Sequence, residues 1–310
     1  MSGRARHVLF ATVVALLFVS PATAGTPLTD QFDKAVQDAG GDFSGAVLVT
    51  RDGDIVFDKA YGMADIEARH PNLSTTSFHI GGLSRAFTAT IVMMLVEKRR
   101  LWLDNTLDQM LPGTPGGDRV RIRDLLASDP ASLAGRPAYN LLARVVEART
   151  GEPFADTVNS DFFGPMWLKG SGIDSGDAGD EGRQAEGYVR DASGDLTPAP
   201  SPDWAALLGD ASAYATTRDA LRWLNAFFDD GFVSAASRQT MLDSGYGGFL
   251  ADSRTFGEPL YRQASNGHGF SSFAACLPKH GVTVIVFGNV EGEGMERIGD
   301  RLTAIALQAP

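Results

Sequence analysis

Nucleophilic attack on a carbonyl needs at least a hydroxyl or thiol and a neighbour able to take its proton. The stretch Phe78-His79-Ile80-Gly81-Gly82-Leu83-Ser84-Arg85 leads into Phe87, Ile91, Met94 and Leu95 at helical spacing, so Ser84 falls at a helix start with Arg85 beside it. Arginine keeps its proton at neutral pH and cannot serve as the base. A helical solution to the same problem is a serine with a lysine three residues later, one above the other on one face. Lys34, Lys59, Lys98, Lys169 and Lys279 are preceded at that spacing by Gln31, Val56, Leu95, Met166 and Cys276. The sequence therefore contains no Ser-x-x-Lys.

Other reactive groups are sparse. Gly82-Leu83-Ser84-Arg85-Ala86 has part of the outline of a nucleophile elbow, but that motif follows a strand, whereas this segment opens a helix after a loop. Ser84 is expected to pack or hydrogen-bond and is the fallback nucleophile. A triad would also need a base. Of His70, His79, His268 and His280, His268 is the candidate, against the plainer reading of a loop histidine facing solvent. No His-Glu-x-x-His and no carboxylate cluster with ligand spacing is present, so neither a metal site nor a cofactor is expected. Cys276 is the single cysteine and lies in a run that reads as a buried strand, Ser272 to Asn289. It is expected to be a packed thiol.

The elements that must position these residues follow from the pattern. Residues 1–24 carry Arg4 and Arg6, an apolar run from Val8 to Val19, and Ala22-Thr23-Ala24 before Gly25. These are the parts of a secretory signal peptide, and the apolar run is shorter than the roughly 20 residues of a membrane span. The expectation is an exported protein, periplasmic or secreted, without a membrane span. Its loss would take the net charge from −11 to −13, so nucleic acid is not an expected partner. With 44% hydrophobic residues in 310, the chain can bury a large core.

Phe43 to Gly62 is two strand-like runs around Arg51-Asp52-Gly53-Asp54, a hairpin signal, and Phe270 to Val290 is a second pair around Lys279-His280-Gly281. Helical spacing precedes the first pair (Leu28 to Gly40) and follows the second (Gly294 to Gln308). Between them lie helical patterns: Ile122 to Ser128, Ala138 to Gly151, and Thr216 to Gly231, the last preceded by a Pro-rich loop, Leu196 to Trp204. Arg149-Thr150-Gly151 reads as a helix C-cap. The architecture predicted is α/β, of the α+β kind: an antiparallel sheet from both chain ends, flanked by terminal helices, with a mostly helical subdomain inserted. The boundaries are about 25–77 and 232–310 for the sheet part and about 78–231 for the helical part, all within one domain of residues 25–310.

This order, with the strings Phe43–Asp65, Phe78–Pro112, Val120–Ser128, Tyr139–Phe154, Ala213–Leu224 and Gly269–Asn289, resembles the serine β-lactamase and penicillin-binding-protein family, in its branch of class C β-lactamases, D,D-peptidases and esterases. The resemblance implies a β-lactamase-like fold with three clusters meeting in a cleft: a Ser-x-x-Lys, a Tyr-x-Asn, and a Lys or His followed by a small residue and Gly. Matching Phe78, Ile80, Gly81, Phe87, Thr88 and Ala89 to the family puts Gly82 at the nucleophile and Arg85 at the lysine. Stepping back from Tyr139 puts Ala134, Gly135 and Arg136 at the second cluster, and stepping back from Gly269 puts Gln263, Ala264 and Ser265 at the third. No cluster is intact.

The reading is an exported β-lactamase-related protein without catalytic apparatus, binding a ligand or partner through a remodelled cleft. An anionic small molecule or a peptidoglycan-derived peptide is the expected ligand, held by free N–H groups at Gly82 and by Arg85 and Arg136. Two alternatives stand beside it: an active serine hydrolase (esterase, peptidase or β-lactamase-like) using a non-standard nucleophile such as Ser84, and a purely structural or interaction protein.

Overall fold

The computed structural model describes residues 27–40, 43–127, 137–176, 184–229, 231–252, 260–292 and 294–308. Its centre is a six-stranded antiparallel sheet built from both ends of the chain. In chain order the strands are β1 (Gly45–Arg51), β2 (Asp54–Tyr61), β3 (Leu250–Asp252), β4 (Leu260–Gly267), β5 (Phe270–Leu277) and β6 (Val282–Gly288), arranged β3-β4-β5-β6-β1-β2. The two ends join where β1 pairs β6, Gly45 opposite Gly288 and Val47 opposite Val286.

Each sheet face has its own core, which is why the strands read as continuous apolar runs. Val47, Val49, Val284 and Val286 face helices α1 (Leu28–Gly40) and α5 (Met295–Gln308). Ala46, Leu48, Ile285 and Phe287 face the helical part. There α2 (Ser84–Glu97), α3 (Ala138–Thr150) and α4 (Thr217–Phe228) bury Phe87, Ile91, Leu142, Val146, Trp223 and Phe227. Helix α3 stops at Gly151 in the left-handed region, φ 83°, and Thr216 caps α4 by accepting from Asp219 N–H. Among the described residues no helix is long and apolar enough to cross a membrane.

The inserted part is less purely helical than its sequence suggests. Phe78–His79, Ala213–Ala215 and Gly172–Ile173 form a three-stranded sheet, and Tyr188–Arg190 pairs Leu196–Pro198 inside the stretch read as a Pro-rich loop. Strands of two or three residues are too short to show alternation. Cys276 is buried on β5 with Sγ 3.6 Å from Thr283 Oγ1, and burial pushes its thiol pKa up to about 12.

Candidate functional site

The cleft lies where the start of α2 meets the edge of β4, with a volume of about 380 Å³. The chain enters α2 through a single 3-10 turn, Gly81–Leu83. Three neighbours hold that turn. Ile80 N–H donates to Ala213 C=O at 3.0 Å, Ser272 Oγ donates to Ile80 C=O at 2.9 Å, and β4 supplies the rest. β3 covers β4 only at Leu260, Tyr261 and Arg262, so residues Gln263 to Gly267 line the cleft.

At the cleft floor, Gly82 N–H donates to Ser265 Oγ at 2.8 Å, and Gln263 Nε2 donates to Gly82 C=O at 2.7 Å. Ser265 reaches so close only because glycines face it. A Cβ on Gly81, whose φ is +53°, would stand 2.4 Å from Ser265 Oγ, and one on Gly82 3.3 Å away. Alternation along β4 turns Gln263 and Ser265 to the same side, which is how two residues of one strand grip one residue of the helix start.

Arg85 lines the cleft one turn along. Its Nε donates to Asp210 Oδ1 at 2.8 Å, and the guanidinium lies 5.8 Å from the Tyr139 ring centroid. The cleft's other arginine, Arg262, is bound to Asp300 and Glu296. Among the described lining residues there is neither lysine nor tyrosine. His268 lies at the cleft's edge in a left-handed conformation, φ 57°, with its ring edge-on to Trp204 at 5.8 Å. It sits exposed in the turn between β4 and β5, as the loop reading has it.

The structure brings Gly82, Arg85, Gln263 and Ser265 together and corrects one expectation. Gly82 does not open α2 with free N–H groups, because Ser265 already takes its N–H. Arg85 lines the cleft and is paired there with Asp210. Ser84 packs and hydrogen-bonds rather than lining the cleft: it is 2% exposed, and its Oγ accepts from Ala213 N–H at 3.1 Å. Ala134, Gly135 and Arg136 lie outside the described residues. Asp210 and Gly248 also line the cleft and were not anticipated. They come from turns carrying no periodic signal.

A family model described as Beta-lactamase matches residues 31–128 and 136–308 of this chain. PbpX of Bacillus subtilis (strain 168), named as a penicillin-binding protein, is 24% identical over 286 residues, covering 80% of this chain and 71% of that protein. The D-aminopeptidase of Brucella anthropi is 25% identical over 221 residues, covering 58% of this chain and 41% of that one. Among solved structures, the octameric penicillin-binding protein homologue from Pyrococcus abyssi superposes with a TM-score of 0.77 at 19% identity, covering 90% of this chain and 76% of that one.

Proposed function

The chain belongs to the Beta-lactamase family, and we propose that it is an exported, non-catalytic member that binds a ligand in its remodelled cleft. The observation that carries this reading is the interlock at Gly82. The position that the family resemblance assigns to the nucleophile has no side chain, and both its backbone groups are engaged by Ser265 and Gln263. The position that the resemblance assigns to the lysine holds Arg85, which does not give up its proton. The hydrolase reading through Ser84 loses support, because a hydroxyl that is buried and already bonded to Ala213 N–H is not presented to a substrate.

For the ligand we propose a carboxylate, of a small molecule or a peptidoglycan-derived peptide. Asp210 takes Nε of Arg85 and so restrains the guanidinium, whose remaining N–H groups, on a residue that lines the cleft, are donors suited to a carboxylate. The test has two arms. Intact-mass measurement after incubation with a penicillin is expected to show no covalent adduct, and a one-to-one adduct would overturn the non-catalytic reading. Calorimetry with short D-alanine-terminated peptides is expected to show binding that Arg85→Ala weakens about tenfold or more, the value of roughly 1.4 kcal/mol. Equal binding by both proteins, or none, would remove the carboxylate.

Restoring the serine alone is expected to fail. Gly82→Ser should show no turnover of a chromogenic cephalosporin, because Arg85 cannot take the proton. The new Cβ also meets Ser265 Oγ at 3.3 Å, so the strand hydroxyl that accepts the residue-82 N–H must give by a few tenths of an ångström. Appreciable turnover by this single variant would mean that another group in the cleft serves as the base.

A further inference from the structure

Helix α2 starts at the cleft and ends about 20 Å away after its 14 residues. Where it ends, the chain reads Lys98-Arg99-Arg100-Leu101-Trp102. Leu101 is fully buried and Leu103 packs against the core, and the residue between them is turned outward: Trp102 is 56% exposed. Its backbone is fixed in a turn. Trp102 N–H donates to Asn105 Oδ1 at 2.9 Å, and its carbonyl accepts Asn105 N–H at 3.0 Å. An indole held open to water in this way forgoes the burial that its large apolar surface would gain.

Six cations gather around it. Lys98, Arg99 and Arg100 are exposed. Arg100 and Arg149, the latter in the last turn of α3, clasp each other through the backbone: Arg100 Nη2 donates to Arg149 C=O, and Arg149 Nε donates to Arg100 C=O at 2.7 Å. Arg121 and Arg123 both reach Asp104 Oδ1, at 2.7 Å each, two residues beyond Trp102. Among the described residues Asp104 is the one carboxylate paired with any of the six. Glu97, Glu147 and Asp124, near in sequence, accept the N–H groups of Ser234, Phe154 and Arg121 instead. Two helix C-termini favour cations here, but that explains neither the open indole nor the conformation of Arg99. In the turn that stops α2, Arg99 adopts φ 55°, whereas α3 and the helix Ala235–Ser244 stop on Gly151 and Gly245. A side chain in the left-handed region is strained relative to glycine, and here it adds one more exposed charge.

We propose that this end of α2 docks on an anionic lipid surface, with Trp102 set among the headgroups and the surrounding cations against their phosphates. Charge complementarity selects the partner's sign: the chain carries 38 acidic residues against 27 basic, so an anionic surface repels most of the molecule and attracts it at this face. The indole selects lipid. It has an apolar body and an N–H tip, which suits the boundary between headgroups and acyl chains, whereas a soluble polyanion would engage the cations and leave the ring in water. The contact lies on the surface and spans nothing, and it leaves the cleft at the other end of α2 open. It stands apart from the cleft reading: acylation by a penicillin would overturn that one and leave this one intact.

Co-sedimentation with vesicles tests it, using the chain from Gly25 onward, which keeps every described element. Vesicles of phosphatidylcholine with phosphatidylglycerol are expected to bind the protein at least about tenfold more tightly than phosphatidylcholine alone, and molar salt is expected to release it. Arg99→Gly should weaken binding about fivefold, the worth of one cation near such a surface, and its fold is secure because glycine suits φ 55°. Trp102→Ser, at an exposed position, should weaken vesicle binding about tenfold and leave binding of soluble polyphosphate unchanged. Equal binding to the two kinds of vesicle, no binding at low salt, or undiminished vesicle binding by Trp102→Ser would each overturn the proposal. Tighter binding of polyphosphate than of the anionic vesicles would overturn it too, by assigning the face to a soluble polyanion.

Discussion

Gly299→Ala is expected to destabilise the protein by about 2–3 kcal/mol, although in an isolated helix the same change stabilises by about 1 kcal/mol. Gly299 is buried in α5 where that helix crosses β5. A Cβ there would stand 2.2 Å from both Cδ1 and Cε1 of Phe273, a ring that is fully buried and cannot swing into solvent. Either α5 lifts from the sheet or Phe273 leaves its rotamer, and each opens the core between α5 and β5. Phe273 pairs with Ala264 on β4, between the two residues that grip Gly82, so the shift should also loosen the cleft. Urea denaturation of the two proteins checks it through the midpoint at unchanged slope. A midpoint equal to or above that of the original chain would show that α5 has room for the methyl group.

The parts of this fold legible in the sequence are those fixed by local backbone chemistry or by long periodic burial. Asp52 and Gly53 both adopt positive φ, 51° and 84°, and Arg51 pairs Asp54 across them, so the Asp-Gly signal dictated a two-residue turn of the kind that suits strand twist. The sheet from both chain ends was legible because its central strands are buried on both faces and so apolar throughout. The spacing that placed Gln263 and Ser265 in the third cluster also put them on the strand that the fold sets against Gly82.

What sequence could not give was the use of each polar group. Nothing in the residue string distinguishes a free N–H at Gly82 from one taken by Ser265, because the two are 183 positions apart. The same holds for Arg85 and Asp210, 125 positions apart. Such pairings belong to the tertiary arrangement, and they decided whether the cleft offers open donors or closed ones. His79 illustrates the reverse case. It occupies a two-residue strand with no periodic signature, and only the tertiary arrangement stacks its ring on Trp204 and sets Nε2 3.5 Å from Asp174.

Tyr139→Phe is expected to cost about 2–6 kcal/mol of stability and to reach the cleft from behind. The hydroxyl is fully buried and works in both directions: it donates to Leu126 C=O at 2.7 Å and accepts from Gly247 N–H at 2.7 Å. Phenylalanine preserves the ring packing and removes both bonds, leaving a buried carbonyl and a buried N–H, at about 1–3 kcal/mol each. Gly247 is held against α2, where a Cβ at its φ of 81° would meet Ala86 Cα at 2.9 Å, and its neighbour Gly248 approaches the Gln263 amide that grips Gly82. Releasing the Gly247 N–H should therefore free the Tyr246–Gly248 turn first and weaken the hold of Gln263 next. Amide hydrogen exchange resolves that order: Gly247 should lose protection by more than the global destabilisation explains, while the amides of β5 and β6 follow global stability alone. A variant with unchanged stability and an equally protected Gly247 would show that the hydroxyl's two bonds are replaceable and that the cleft does not depend on them.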